Sequence, residues 1–160
     1  MKREANVGKG GDSSHAARTL HCTPGGHVLP TLSRADLAYV LQILEQDTIH
    51  DLSLICQAVQ MNPRDLLNQV AIAMADQFLS GVRNFHACDE VMNLLFSDIV
   101  NLGMDAEMPE PAFSIYLAFD SGEHWHTGDN KEVVPWEKWT RPELVQILDR
   151  LAGGLSGARR

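Results

Sequence analysis

The sequence lacks positive charge over much of its length, because no lysine or arginine occurs between Arg83 and Lys131. Nine carboxylates fall within this 47-residue interval: Asp89, Glu90, Asp98, Asp105, Glu107, Glu110, Asp120, Glu123 and Asp129. Ordinary soluble domains mix both signs of charge over their surface. A long acidic run repels nucleic acid and anionic lipid, and it attracts basic proteins or cations. The run therefore predicts a basic protein partner and argues against nucleic acid and membrane as partners.

Cysteine and long apolar runs are also scarce. Three cysteines (Cys22, Cys56 and Cys88) are too few, and odd in number, for the disulfide framework of a small secreted domain. No stretch reaches the roughly 20 apolar residues of a membrane-spanning helix, and the N-terminus lacks the apolar run of ~7–15 residues that marks a signal peptide. These absences predict a cytoplasmic protein.

The motifs of several enzyme classes are missing as well. The chain holds no phosphate-binding glycine loop, no nucleophile elbow and no zinc-finger spacing. Residues 47–79 read as helix, turn and helix, but a DNA-binding second helix needs basic residues, and Arg64 is offset by Asp65 and Asp76. We therefore expect no cofactor, and an enzyme is not the leading interpretation.

The apolar pattern from Ser33 onward predicts a mainly α protein, a compact bundle of about five to six helices. Residues 1–30 are predicted to be a flexible tail, 31–155 a single helical domain, and 156–160 a frayed end. Predicted helix caps are Ser33, Asp47, Asn62 before Pro63, and Thr140 in a capping box with Glu143; Gly81 and Gly153–Gly154 are predicted stops. The tail also holds His15, His21, His27 and Cys22, whose spacing matches no established metal site.

Residues 112–126 allow two interpretations. Phe113, Ile115, Leu117 and Phe119 alternate as in a strand, whereas Ala112, Ile115, Tyr116 and Phe119 fit one face of a helix that begins after Pro111. The only candidate partner strand is short and contains Pro135, so the helix is favoured. One short β element within 112–135 stays open as the alternative.

The segment from Asp120 to Asp129 is the candidate for chemistry. In a helix, Asp120 and His124 would share a face, as would Glu123 and His126. These are ligand types for a divalent metal, and a histidine beside a carboxylate suits general base catalysis. The alternative function is therefore a metal-dependent or acid–base enzyme with Asp120, Glu123, His124 and His126 as candidate metal ligands. The segment contains two glycines and fits no metal-site spacing, which favours a loop that contacts a partner.

All three tryptophans lie close to this acidic segment. Trp125, Trp136 and Trp139 fall within fifteen residues of one another, and they either cover the end of the helical core or anchor a partner. The leading prediction is an acidic module that binds a basic protein through Asp120, Glu123, Trp125, Asp129 and Trp136. In size and charge the chain is similar to bacterial immunity proteins, a resemblance that implies neutralisation of a basic toxin, for example a nuclease.

Overall fold

The computed structural model describes residues 30–46 and 51–157. These ranges contain six helices of eight residues or more and one four-residue helical turn. In chain order the elements are α1 Arg34–Gln46, α2 Leu52–Val59, α3 Pro63–Leu79, α4 Phe85–Asp105, α5 Ala112–Asp120, the turn α6 Pro135–Lys138, and α7 Thr140–Gly157. The mainly α prediction is confirmed. The predictions for the tail, for the cap at Asp47 and for the last three residues concern parts of the chain outside the described ranges.

Short polar side chains begin the first four helices. Ser33 Oγ accepts a hydrogen bond from the backbone N–H of Asp36, as the sequence predicts. Asp51 caps α2 through the N–H of Ser53, and Asn62 caps α3 with Pro63 directly after it. Asn84 caps α4 through the N–H of Ala87. These caps fix where each helix begins, and α3 and α4 then run side by side.

Residues 112–120 form the helix α5, and no strand occurs in either described range, so the alternative β element within 112–135 is wrong. No side chain of its own caps α5. Instead, the buried amide of Asn68 on α3 accepts a hydrogen bond from the N–H of Ala112 (3.1 Å). Arg64, also on α3, donates to the backbone carbonyls of Glu107 and Met108. Two side chains of α3 thus hold the start of α5 and the segment before it.

The hydrophobic core lies where α3, α4 and α5 pack against one another, and α7 closes it against α5 and α3. Phe78, Phe85 and Phe119 meet at one end of this core, with ring centroids 5.8–6.0 Å apart. Burial of such rings is a large stabilising term. Because Phe119 is fully buried, the next residue, Asp120, is held at the surface where α5 ends.

The capping box predicted at Thr140 is wrong. An N-cap residue needs an extended backbone, but the chain enters α7 from α6 through Trp139, whose backbone is helical (φ −108°, ψ −56°). Thr140 is completely buried, and its Oγ1 has no hydrogen-bond partner among the described residues. The glycine stop at Gly153–Gly154 is also wrong, since α7 continues to Gly157.

Across the described residues, no helix is both long and apolar enough to cross a membrane.

Candidate functional site: an acidic face of α4 and α5

Three carboxylates meet where α4 passes the end of α5. Asn93 joins two of them, because its Nδ2 donates to Asp89 Oδ2 one turn earlier (3.2 Å) and to Glu123 Oε1 beyond α5 (3.3 Å). Asp120 is the last residue of α5 and contributes the third negative charge. We call Asp89, Asp120 and Glu123 the acidic cluster. The structure therefore brings the predicted pair Asp120 and Glu123 together and adds Asp89, which is not among the site residues predicted from the sequence.

The charge of this cluster is not compensated within the described ranges, where no lysine, arginine or histidine forms an ion pair with any of its members. Burial, and then the neighbouring charges of Glu123 and Asp120, together raise the pKa of Asp89 to about 6. Asp89 Oδ1 is buried and has no hydrogen-bond partner among the described residues. A cation placed here would relieve the repulsion between the carboxylates.

An aromatic pair lies on the same face. The rings of Phe96 on α4 and Tyr116 on α5 are stacked, with centroids 4.4 Å apart and planes 20° apart. Phe96 is 39% exposed. The pKa of the Tyr116 hydroxyl is raised, first by burial and then by the charges of Asp120, Glu123 and Asp89. The aromatic pair therefore lies close to the acidic cluster.

The segment after α5 is a loop tied to a single carboxylate. We call residues 121–139 the Trp loop. Asp129 Oδ2 accepts hydrogen bonds from the N–H of His126 and from Nε1 of Trp139 (both 2.9 Å), and its Oδ1 accepts from Lys138 Nζ. The hydrogen bonds from Lys138 and then Trp139 hold the pKa of Asp129 at about 2. Its side chain is only 4% exposed. The geometry gives Asp129 a role in fixing the loop, and its contact with a partner stays a prediction.

The tryptophans divide into covered and exposed ones. Trp136 stacks on Phe85 (4.9 Å between centroids, 14° between planes) and covers the aromatic end of the core. Trp125 is 46% exposed, and its Nε1 donates to the carbonyl of Val133 (3.2 Å), which holds the ring across the loop. Of the two tryptophans predicted to contact a partner, Trp125 therefore has the larger free surface.

The histidines of the Trp loop are not arranged as a metal site. The rings of His124 and His126 stack (5.5 Å), and His126 Nε2 lies 2.8 Å from the carbonyl oxygen of Ser121. Residues 30–46 and 51–157 contain no group of three or more histidine, cysteine or acidic side chains placed to hold a metal ion. The candidate ligands Asp120, Glu123, His124 and His126 are therefore neighbours in sequence without a shared metal geometry.

Two shallow hollows of about 180 and 210 Å³ lie between α5 and α7. Ser114 lines both, with Arg150 in the first and Trp139 in the second. No predicted site residue lines either hollow. Enzyme sites gather their polar groups in a concave pocket, whereas the carboxylates here lie on an exposed face. The acidic cluster is therefore separate from both hollows.

Comparison of the chain with protein families, with curated proteins and with solved structures found no match.

Proposed function

We propose that this protein is an acidic binding module that sequesters a basic protein partner. The observation that carries the proposal is the acidic cluster, in which Asp120 and Glu123 are exposed and Asp89 is partly buried, and which has no cationic partner within the described ranges. Three uncompensated carboxylates on one face are costly to the free protein. Binding of a basic partner relieves this repulsion, which adds to the binding free energy, and the attraction between opposite charges raises the association rate.

Electrostatic attraction raises the association rate of a complex more than its affinity. The face therefore also needs an apolar anchor that contributes affinity. Trp125 lies two residues beyond Glu123 and is the most exposed of the three tryptophans. The hydrogen bonds to Asp129 hold the loop that carries it, which lowers the entropy lost on binding. We assign Asp120, Glu123 and Trp125 to direct contact, and Asp129 and Trp136 to the support of the loop.

The biological form that we propose is neutralisation of a basic toxin in the bacterial cytoplasm, as by an immunity protein. Toxic nucleases carry basic clefts for the phosphate backbone. An acidic face can occupy such a cleft, because it presents negative charge where the nucleic acid would bind. Size, net charge of −8 and the acidic cluster support this version.

The test is an affinity capture from host lysate with the intact protein and two matched variants. The first variant, Asp120→Asn with Glu123→Gln, removes two charges from the acidic cluster and keeps the side-chain shapes. The control variant, Asp105→Asn with Glu107→Gln, removes the same charge from the same acidic run. Asp105 lies 16 residues beyond Asp89 on α4, roughly 24 Å along the helix.

We expect one basic protein to be captured by the intact protein and by the control at low salt, and to be lost with the first variant. Its toxicity in cells should be suppressed when the intact chain is expressed with it. Equal capture by both variants would contradict the assignment of the face. Failure of co-expression to protect the cell would contradict the toxin version.

A further inference from the structure

The aromatic pair leaves an apolar helix face without a partner. Phe96 and Tyr116 stack on each other, and in the described ranges neither ring contacts a further aromatic ring or a cation. Scattered exposed apolar residues are ordinary, but a stacked pair at the crossing of two helices, next to uncompensated carboxylates, is a specific combination.

The aromatic pair and the acidic cluster are interleaved along the two helices. Asn93, which holds Asp89 and Glu123, lies three residues before Phe96 on α4, and Asp120 lies four residues after Tyr116 on α5. Residues three or four apart in a helix share a face. A group lying on the rings is therefore within one helical turn of the Asp120 carboxylate on α5, whereas Asp89 lies about two turns before Phe96 on α4.

We propose that this face binds an arginine side chain of the basic partner, with the guanidinium plane on the aromatic pair and its N–H groups directed to the acidic cluster. The proposal rests on the proposed function and names the chemistry that the partner must present. Arginine fits better than lysine because its planar, weakly hydrated guanidinium stacks on aromatic rings and presents a fork of donors to carboxylates. A lysine ammonium would gain from the carboxylates but less from the stack.

The negative charge around the aromatic pair favours a cation as the group that binds there. The chain offers no lysine or arginine between Arg83 and Lys131 to occupy it. The carboxylates of Asp120 and Glu123 are exposed and can accept the guanidinium N–H groups.

The experiment measures binding of fluorescently labelled hexa-arginine and hexa-lysine peptides to the full chain by anisotropy, at matched ionic strength. For the intact protein we expect the arginine peptide to bind about fivefold more tightly, the value of one exposed cation–π contact. Phe96→Ala should remove that preference and leave a common, salt-dependent affinity. Leu54→Ala, a truncation of a more exposed apolar residue on α2, should keep it.

Phe96→Leu guards against loss of folding, because it keeps apolar packing and removes only the ring. It should bind the two peptides alike while retaining the thermal midpoint of the intact protein. Equal binding of the two peptides by the intact protein, or a preference that survives both changes at Phe96, would overturn the arginine assignment. Absence of salt-dependent binding of either peptide would instead contradict the proposed function itself.

Discussion

Replacing Asp89 by asparagine should stabilise the fold at neutral pH. The Asp89 carboxylate is partly buried, its pKa is raised to about 6, and the charges of Glu123 and Asp120 oppose its ionisation. Asparagine has the same shape, and its carbonyl oxygen can still accept the hydrogen bond from Asn93 Nδ2. The substitution therefore removes the cost of burying a charge and keeps the contact.

The expected size follows from the pKa of the folded state. A rise from 3.8 to about 6 corresponds to at most ~3 kcal/mol at 1.36 kcal/mol per pKa unit. Solvent screens a half-exposed carboxylate, which reduces the expected gain to about 1–1.5 kcal/mol. Asp89 lies beyond the first turn of α4, so the loss of a favourable helix-dipole interaction is small.

The sign of the pH dependence is fixed by the same values. Because the folded state holds the Asp89 proton more tightly than the unfolded state, this group lowers the stability of the intact protein as pH rises from about 4 to about 6. Below the unfolded pKa both states are protonated and the penalty disappears. The advantage of Asp89→Asn should therefore be complete near pH 7 and nearly absent near pH 3.5.

The assay is urea unfolding followed by tryptophan fluorescence, at both pH values, for the intact protein, Asp89→Asn and Glu90→Gln. The last is an exposed neighbour on α4 that loses the same charge, and we expect it to change the free energy of unfolding by less than about 0.5 kcal/mol. A lower free energy of unfolding for Asp89→Asn, or an equal increase for Glu90→Gln, would refute the view that burial and the charges of its two neighbours make ionised Asp89 destabilising.

Three further substitutions test the Trp loop and its packing, and a fourth, at Gly153 on α7, is a control. Asp129→Asn should speed hydrogen exchange of the backbone amides of residues 123–139 near pH 7. Because the pKa of Asp129 is lowered, the stability that its carboxylate contributes is fully present above pH 3.8 and is lost as pH falls through about 2. Gly122→Ala should lower the free energy of unfolding by about 1–3 kcal/mol, because a Cβ there would lie 2.0 Å from Thr140 Oγ1. Gly153→Ala on α7 should raise it by about 0.5–1 kcal/mol, because a Cβ there meets no atom within 4 Å. Denaturant unfolding of both variants tests this difference. Thr140→Val should be neutral or stabilising by up to about 1 kcal/mol, because the buried hydroxyl has no hydrogen-bond partner among the described residues. A fall of about 1 kcal/mol in the free energy of unfolding, in the same assay, would instead support Thr140 as a capping residue.

Most of the fold could be predicted because its signals are local. Asn62 followed by Pro63 marks the start of α3, and the spacing of apolar residues locates the buried stripe of each helix. The start of α7 could not be predicted in this way. Thr140 lies in the sequence of a capping box, but the helical turn at Pro135–Lys138 precedes it directly, and Trp136 within that turn stacks against Phe85, which is far away in the sequence.

The candidate site was predictable only in part. The uninterrupted negative charge located Asp120 and Glu123, but joining them to Asp89 needs the crossing of α4 and α5, which no local pattern contains. Phe96 and Ile99 are both apolar and three residues apart, and only packing decides that Ile99 is buried while Phe96 is exposed. For Asp129, the partners come nine and ten residues later, at a distance that only the folded loop closes.

The most direct test of the binding face is the association rate of the captured partner, measured at low and high salt. Attraction between opposite charges predicts at least a tenfold fall in rate between about 50 and 500 mM salt for the intact protein. Asp120→Asn with Glu123→Gln should start slower and depend less on salt, whereas Asp105→Asn with Glu107→Gln should behave as the intact protein does. Identical rates and salt dependence for all three proteins would contradict the account.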